Sequence, residues 1–119
     1  MALNSFADVQ NFFNDFITNN NITVGKPHFE FWNTVSYTDF VTGTVPNVTV
    51  PNTAPPQSIP ILTKGDGEHS NIIYALSGTP GTLWDPNTGV FPQMPEGGPY
   101  FSDAQIQELS AWITAGCPE

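Results

Sequence analysis

Proline sets the first limit on what this chain can build. Five of its twelve prolines fall between Pro46 and Pro60, interspersed with Val, Thr and Asn. Proline fixes φ and donates no backbone hydrogen bond, so no helix can run through this segment, and an extended surface loop that wraps the domain or serves a contact is expected there. Further turn signals stand at Thr79-Pro80-Gly81 and at Asp85-Pro-Asn-Thr-Gly89. Helices must therefore be short and fitted between the breakers. The expected fold class is all-α: four or so short helices joined by long Pro/Gly-rich loops, in one domain spanning residues 1–119.

Four segments carry helix signals. Ser5-Phe-Ala-Asp8 is a capping-box variant, and Phe6, Val9, Phe13, Phe16 and Ile17 recur at helical spacing, which predicts a helix from about Phe6 to Ile17. The polar run Thr18 to Asn21 ends it. Gly25 to Trp32 reads as an aromatic-rich loop or extended segment. Ser36-Tyr-Thr-Asp39 opens a helix of about two turns that carries Phe40 and Val41, with Gly43 expected as a left-handed terminator. Ser70 is expected to cap a third helix through Leu76, closed by Gly78. Ser102-Asp-Ala-Gln105 is a capping box that opens the best-defined helix, striped by Ile106, Leu109 and Ile113 with Trp112 beside it, and stopped by Gly116 and Pro118.

Charge narrows the partners. Eleven acidic residues face only Lys26 and Lys64, with no arginine, for a net charge of -9. Phosphate backbones and anionic lipid surfaces are repelled, so nucleic acid is a poor partner. A basic protein suits such a surface, as does simple solubility. No apolar run approaches the roughly 18 residues of a membrane span, so no membrane insertion is expected. MALNSF has no basic and apolar leader character. Cys117 is the single cysteine, which excludes an intrachain disulfide and any Cys-based zinc or iron–sulfur site; an inert thiol is expected of it. Asn21-Ile-Thr and Asn47-Val-Thr fit the glycosylation pattern, of consequence only in a eukaryotic secretory setting.

Familiar catalytic constellations are missing from the sequence: there is no Gly-rich phosphate loop, no His-x-x-x-His and no assignable Ser-His-Asp set. Asp66, Glu68 and His69 in KGDGEHS form a carboxylate cluster beside an imidazole, to be weighed as a metal site against a polar turn. Asp85 to Gly89 offers oxygens without the ligand series of a calcium loop, and a β-turn accounts for it. Trp32, Trp84 and Tyr100 are either core residues or a flat binding platform. No metal site is expected.

The second half of the chain carries a resemblance. Ser70 to Gly78 (SNIIYALSG), then Met94-Pro95, then a capped helix ending in Trp112-Ile113 and Gly116, is similar to the second half of a class I cytochrome c domain. FADVQNFFNDF resembles the helix that precedes haem attachment in that family. The resemblance implies attachment cysteines at Ile17 and Asn20 and an axial histidine at Asn21. None of the three has the required chemistry, since thioether attachment needs thiols and proximal ligation needs an imidazole. Covalent haem is excluded at these degenerate positions.

Two readings follow. The first is a non-enzymatic, haem-free cytochrome c-like module that binds or positions a protein partner, a redox enzyme among the candidates, with no cofactor. In that case the loss of a large apolar plate has to be made good, and several of the fifteen aromatics, drawn from Phe12, Phe13, Phe16, Phe29, Phe31, Trp32, Phe40, Tyr74, Trp84 and Phe91, are expected to occupy the former haem cavity. The alternative is an electron-transfer protein that binds haem non-covalently through Met94 and a histidine, His28 or His69. The family resemblance favours a compartment outside the cytoplasm.

Overall fold

The computed structural model describes residues 2–26 and 28–119. Met1 and Pro27, the latter within the aromatic segment expected as a loop, lie outside the described residues. In chain order the elements are α1 (Phe6–Asn19), α2 (Phe31–Thr34), α3 (Tyr37–Thr42), β1 (Thr44–Thr49), β2 (Ser58–Pro60), α4 (Asn71–Ser77) and α5 (Asp103–Thr114).

The all-α expectation is overturned by β1 and β2, which pair antiparallel with Thr44 opposite Pro60 and Thr49 opposite Ser58. The Pro46–Pro60 segment is therefore a hairpin ribbon and not a structureless loop. In a two-stranded ribbon each strand has an unpaired side, where a residue without an N–H costs nothing, so the prolines that forbid a helix are compatible with these strands. Asn47 takes a left-handed φ of 61° within β1, at the irregularity of the register. Thr53 closes the far end, donating from Oγ1 to the Val50 carbonyl and accepting from the Gln57 N–H. Ile59, almost fully buried, pins the ribbon against Ala75 and Trp84.

Helix α1 begins at Ser5, whose Oγ accepts the Asp8 N–H at 3.1 Å. Val9, Phe13 and Phe16 form its buried face. The end of the aromatic segment, expected as loop, forms the single turn α2. It is held to α1 by Phe13 stacked on Trp32 at 4.9 Å and by the Trp32 indole N–H donating to Asn14 Oδ1 at 2.8 Å. Phe31 then meets Phe40 of α3, and Phe40 meets Trp112 of α5. An aromatic seam thus links four helices, each ring pair contributing about 0.5–1.5 kcal/mol beyond the area it buries.

Gly43 ends α3 in an extended conformation, φ -94°, and not the left-handed one expected. A side chain there would meet the Asp39 carbonyl, which explains the glycine. The Ser70 hydroxyl, fully buried, does not cap α4. It donates to the Asp66 carbonyl at 2.8 Å and accepts the Thr63 N–H at 2.9 Å, closing the loop ahead of the helix. That loop lies on α5: Gly65 N–H bonds the Ile113 carbonyl and Gly67 N–H bonds Thr114 Oγ1, each at 3.0 Å. The capping box of α5 forms as its sequence requires, with Ser102 and Gln105 exchanging side-chain and backbone bonds.

A Cβ on Gly67 would lie 2.2 Å from the Ser110 carbonyl oxygen, whereas one on Gly25 would meet nothing within 4 Å. Gly67→Ala is expected to lower stability by about 1–3 kcal/mol through this overlap, and Gly25→Ala by less than about 0.5 kcal/mol. Urea denaturation of both variants checks this, and equal losses would refute it.

Candidate functional site

The clustered apolar residues of these elements do not close completely. Between them lies a cavity of about 400 Å³, within the range of roughly 300–1,000 Å³ typical of small-molecule sites. Phe13 and Ile17 of α1 form one wall, with Phe31 and Trp32 of α2 beside them. Ile72, Ala75 and Leu76 of α4 form another, and Val45 and Val48 bring the ribbon to it. Trp84, Phe91, Met94 and Phe101 complete the enclosure from the long connection between α4 and α5. Thr23, Lys26, His28 and Glu96 are the polar side chains on its border.

The expectation that aromatic rings fill this space does not hold. The rings are occupied with one another: Phe13 with Trp32, Phe31 with Phe40, Trp84 with Phe91 at 5.7 Å. Phe12 and Phe16 both stack on Phe101, at 5.1 and 3.7 Å. Paired in this way, the rings line the walls and leave the centre open.

Ile17, Asn20 and Asn21, the positions at which the resemblance implies haem attachment, sit where α1 ends. Ile17 faces the cavity. Asn20 is the C-cap, its side-chain amide donating to the Phe16 carbonyl at 2.9 Å, and Asn21 takes the left-handed turn with φ 54°. None supplies a thiol or an imidazole, so the residues present do not fit covalently attached haem.

Of the three alternative ligands, the fold brings two to one cavity. Met94 is half-buried and anchored to α4 by its N–H donating to the Ala75 carbonyl at 2.8 Å, while the neighbouring Gln93 amide donates to the Leu76 carbonyl at 2.9 Å. His28 borders the same space, its ring edge-on to Phe31 at 5.3 Å and its Nδ1 2.8 Å from the Phe29 carbonyl. A proton on Nδ1 donates to that carbonyl and leaves the Nε2 lone pair free, the arrangement that orients imidazole ligands. His69 is not part of the cavity lining. It pairs with Asp66, Nδ1 lying 2.9 Å from the carboxylate, and this hydrogen bond raises its pKa above the ordinary value. Among the described residues no three His, Cys, Asp or Glu side chains gather as a metal site. Residues 64–69 form a turn that leads into α4.

Other candidates take structural places. Trp32 and Trp84 are buried, and only Tyr100 of the three platform aromatics is exposed. Cys117 is fully buried, and burial pushes its thiol pKa up with Lys64 opposing; the Tyr37 hydroxyl donates to its carbonyl oxygen. Among the described residues no helix is long and apolar enough to cross a membrane. Lys26 and Glu96 carried no sequence signal for cavity placement, because each comes to the border through a turn with no periodic pattern.

Asp85 holds the loop that carries Trp84 and Phe91. Its carboxylate accepts the Gly81 N–H at 3.1 Å and the Asn87 N–H at 2.8 Å, and these bonds pull its pKa below the ordinary 3.8. Both oxygens accept backbone N–H groups of the chain itself, which closes the turn. A lowered folded-state pKa contributes stability that is present above the unfolded value near 3.8 and is lost as pH falls through the folded value. Wild type is therefore expected to be more stable than Asp85→Asn at neutral pH, with the difference shrinking below pH 3.8. Urea midpoints for both proteins across an acid series check this, and a constant difference would contradict it.

No family model, no curated protein and no solved structure matches the chain.

Proposed function

We propose that this chain is a non-enzymatic electron-transfer domain that holds haem without covalent bonds, with Met94 and His28 as its axial ligands, and works with a protein partner. One observation carries the reading: the thioether of Met94 and the imidazole of His28 border the same apolar cavity. A Met/His pair is an established axial set. Haem bound there would supply a one-electron couple. The chain's part is to present Met94 from the backbone bond to Ala75, to hold His28 in the tautomer that exposes Nε2, and to exclude water with the ring-lined walls. The resemblance of residues 70–118 to cytochrome c supports the assignment at the level of sequence. The strongly acidic surface suits a basic partner surface, whose docking it would accelerate at low salt. The resemblance also favours a compartment outside the cytoplasm.

A second reading follows from the loss of all three attachment residues at Ile17, Asn20 and Asn21. In that reading the domain is haem-free and serves only to bind or position a protein partner.

Titration of the purified chain with hemin separates the two. The expected result is a saturable Soret band at one equivalent whose position changes in Met94→Ala and in His28→Ala but not in His69→Ala. A Soret band that stays at the position and width of free hemin throughout the titration would sink the electron-transfer reading and leave the haem-free module standing.

A further inference from the structure

The cavity border contains one of the chain's two cations. In a molecule of net charge -9, an anionic ligand is repelled from most of the surface, and the positions of Lys26 and Lys64 decide where it is tolerated. Lys64 lies in the loop ahead of α4 and does not line the cavity, whereas Lys26 does. Among the described residues the Lys26 ammonium has no ion-pair or hydrogen-bond partner, although the chain has eleven acidic side chains. Glu96, the carboxylate on the same border, forms no ion pair with it.

We propose that Lys26 makes this cavity selective for an apolar molecule carrying a carboxylate, with the apolar body between the ring-lined walls and the carboxylate at the border beside the ammonium. The proposal rests on the reading of the cavity as a ligand site and adds the chemical class of what enters it. The physical division is simple. The walls offer burial without hydrogen bonds, so a charged group cannot be placed deep without a large desolvation cost. Lys26 is exposed, and a lysine so placed can offer its ammonium to a ligand head while its four-carbon stem covers apolar surface. Glu96, also on the border and not paired with Lys26, repels a carboxylate placed beside it, so the ammonium of Lys26 is the favourable site for one. Two sources share this chemistry, the propionates of haem and the head of a long-chain fatty acid.

The test compares acid with ester. Hemin and its dimethyl ester, and cis-parinaric acid and its methyl ester, are titrated into wild type, Lys26→Met and Lys64→Met, with absorbance and fluorescence as readouts. Lys26→Met keeps an apolar stem at an exposed position, and thermal unfolding checks that it folds. The expected result is that the acid binds about fivefold more tightly than its ester, that Lys26→Met abolishes the difference, and that Lys64→Met does not. Preference confined to hemin assigns the carboxylate to haem, and preference confined to parinaric acid assigns it to a lipid. Equal binding of acid and ester, or a preference that survives Lys26→Met, overturns the role of Lys26 while leaving a neutral-ligand cavity. If no acid or ester binds, the cavity reading fails and this inference with it.

Discussion

The stack of Phe101 on Phe16, ring centroids 3.7 Å apart, is the contact on which the remaining structure depends. Phe101 immediately precedes the capping box of α5, so its position against α1 sets where the final helix begins. Phe12 and Phe13 add a second stack and an edge contact to the same ring. Once α5 starts there, its stripe of Ile106, Leu109, Trp112 and Ile113 turns into the core, and its last turns receive the loop that carries Gly65 and Gly67. A single ring therefore joins the two longest helices, which are far apart in the chain. Long-range contacts of this kind repay the chain entropy that many proline-rich connections leave unspent by local structure.

The same ring contacts explain why a cavity persists in a small core. Open volume forfeits dispersion contacts, and side chains that are free to turn will normally move into it. Here the flanking rings are committed. Trp32 is fixed by its indole bond to Asn14 and its stack on Phe13, Trp84 by Phe91 and by the Asp85 turn behind it. Met94 is set by a backbone bond to α4. The open centre is thus the outcome of specific pairings around it. Charge then acts on a smaller scale: the one lysine on the cavity border, which it shares with Thr23, His28 and Glu96, differs in electrostatic character from most of an acidic molecule.

Local signals in this chain were legible wherever a single turn of backbone decides the outcome. Ser5, Ser36 and Ser102 each accept the amide three residues on, as their spacing with Asp8, Asp39 and Gln105 implies. Gly78 takes the left-handed conformation that closes α4. Asn21 takes it after α1. Helical periodicity selects the buried stripe of α5 and, in α1, Val9, Phe13 and Phe16, with Phe6 and Ile17 partly buried at its ends. Pattern failed where two distant segments had to meet. Proline told against a helix at Pro46–Pro60 but was silent on whether that segment would find a partner strand, since pairing depends on Ile59 being drawn against Trp84 and Ala75. Ser70 had the composition of a cap, yet the loop from Thr63 took its hydroxyl instead.

The amino-acid sequence by itself determined that no cysteine or histidine stands at Ile17, Asn20 or Asn21, and that the chain is strongly acidic with only two cations. Those are statements about which functional groups exist, and no folding changes them. Tertiary structure alone decided that Met94 and His28, rather than Met94 and His69, share a cavity, that Lys26 borders it, and that the aromatics line the space without filling it. Convergence of side chains separated by tens of residues depends on how helices and ribbon pack, and packing is settled by ring against ring in three dimensions, which a one-dimensional pattern does not record.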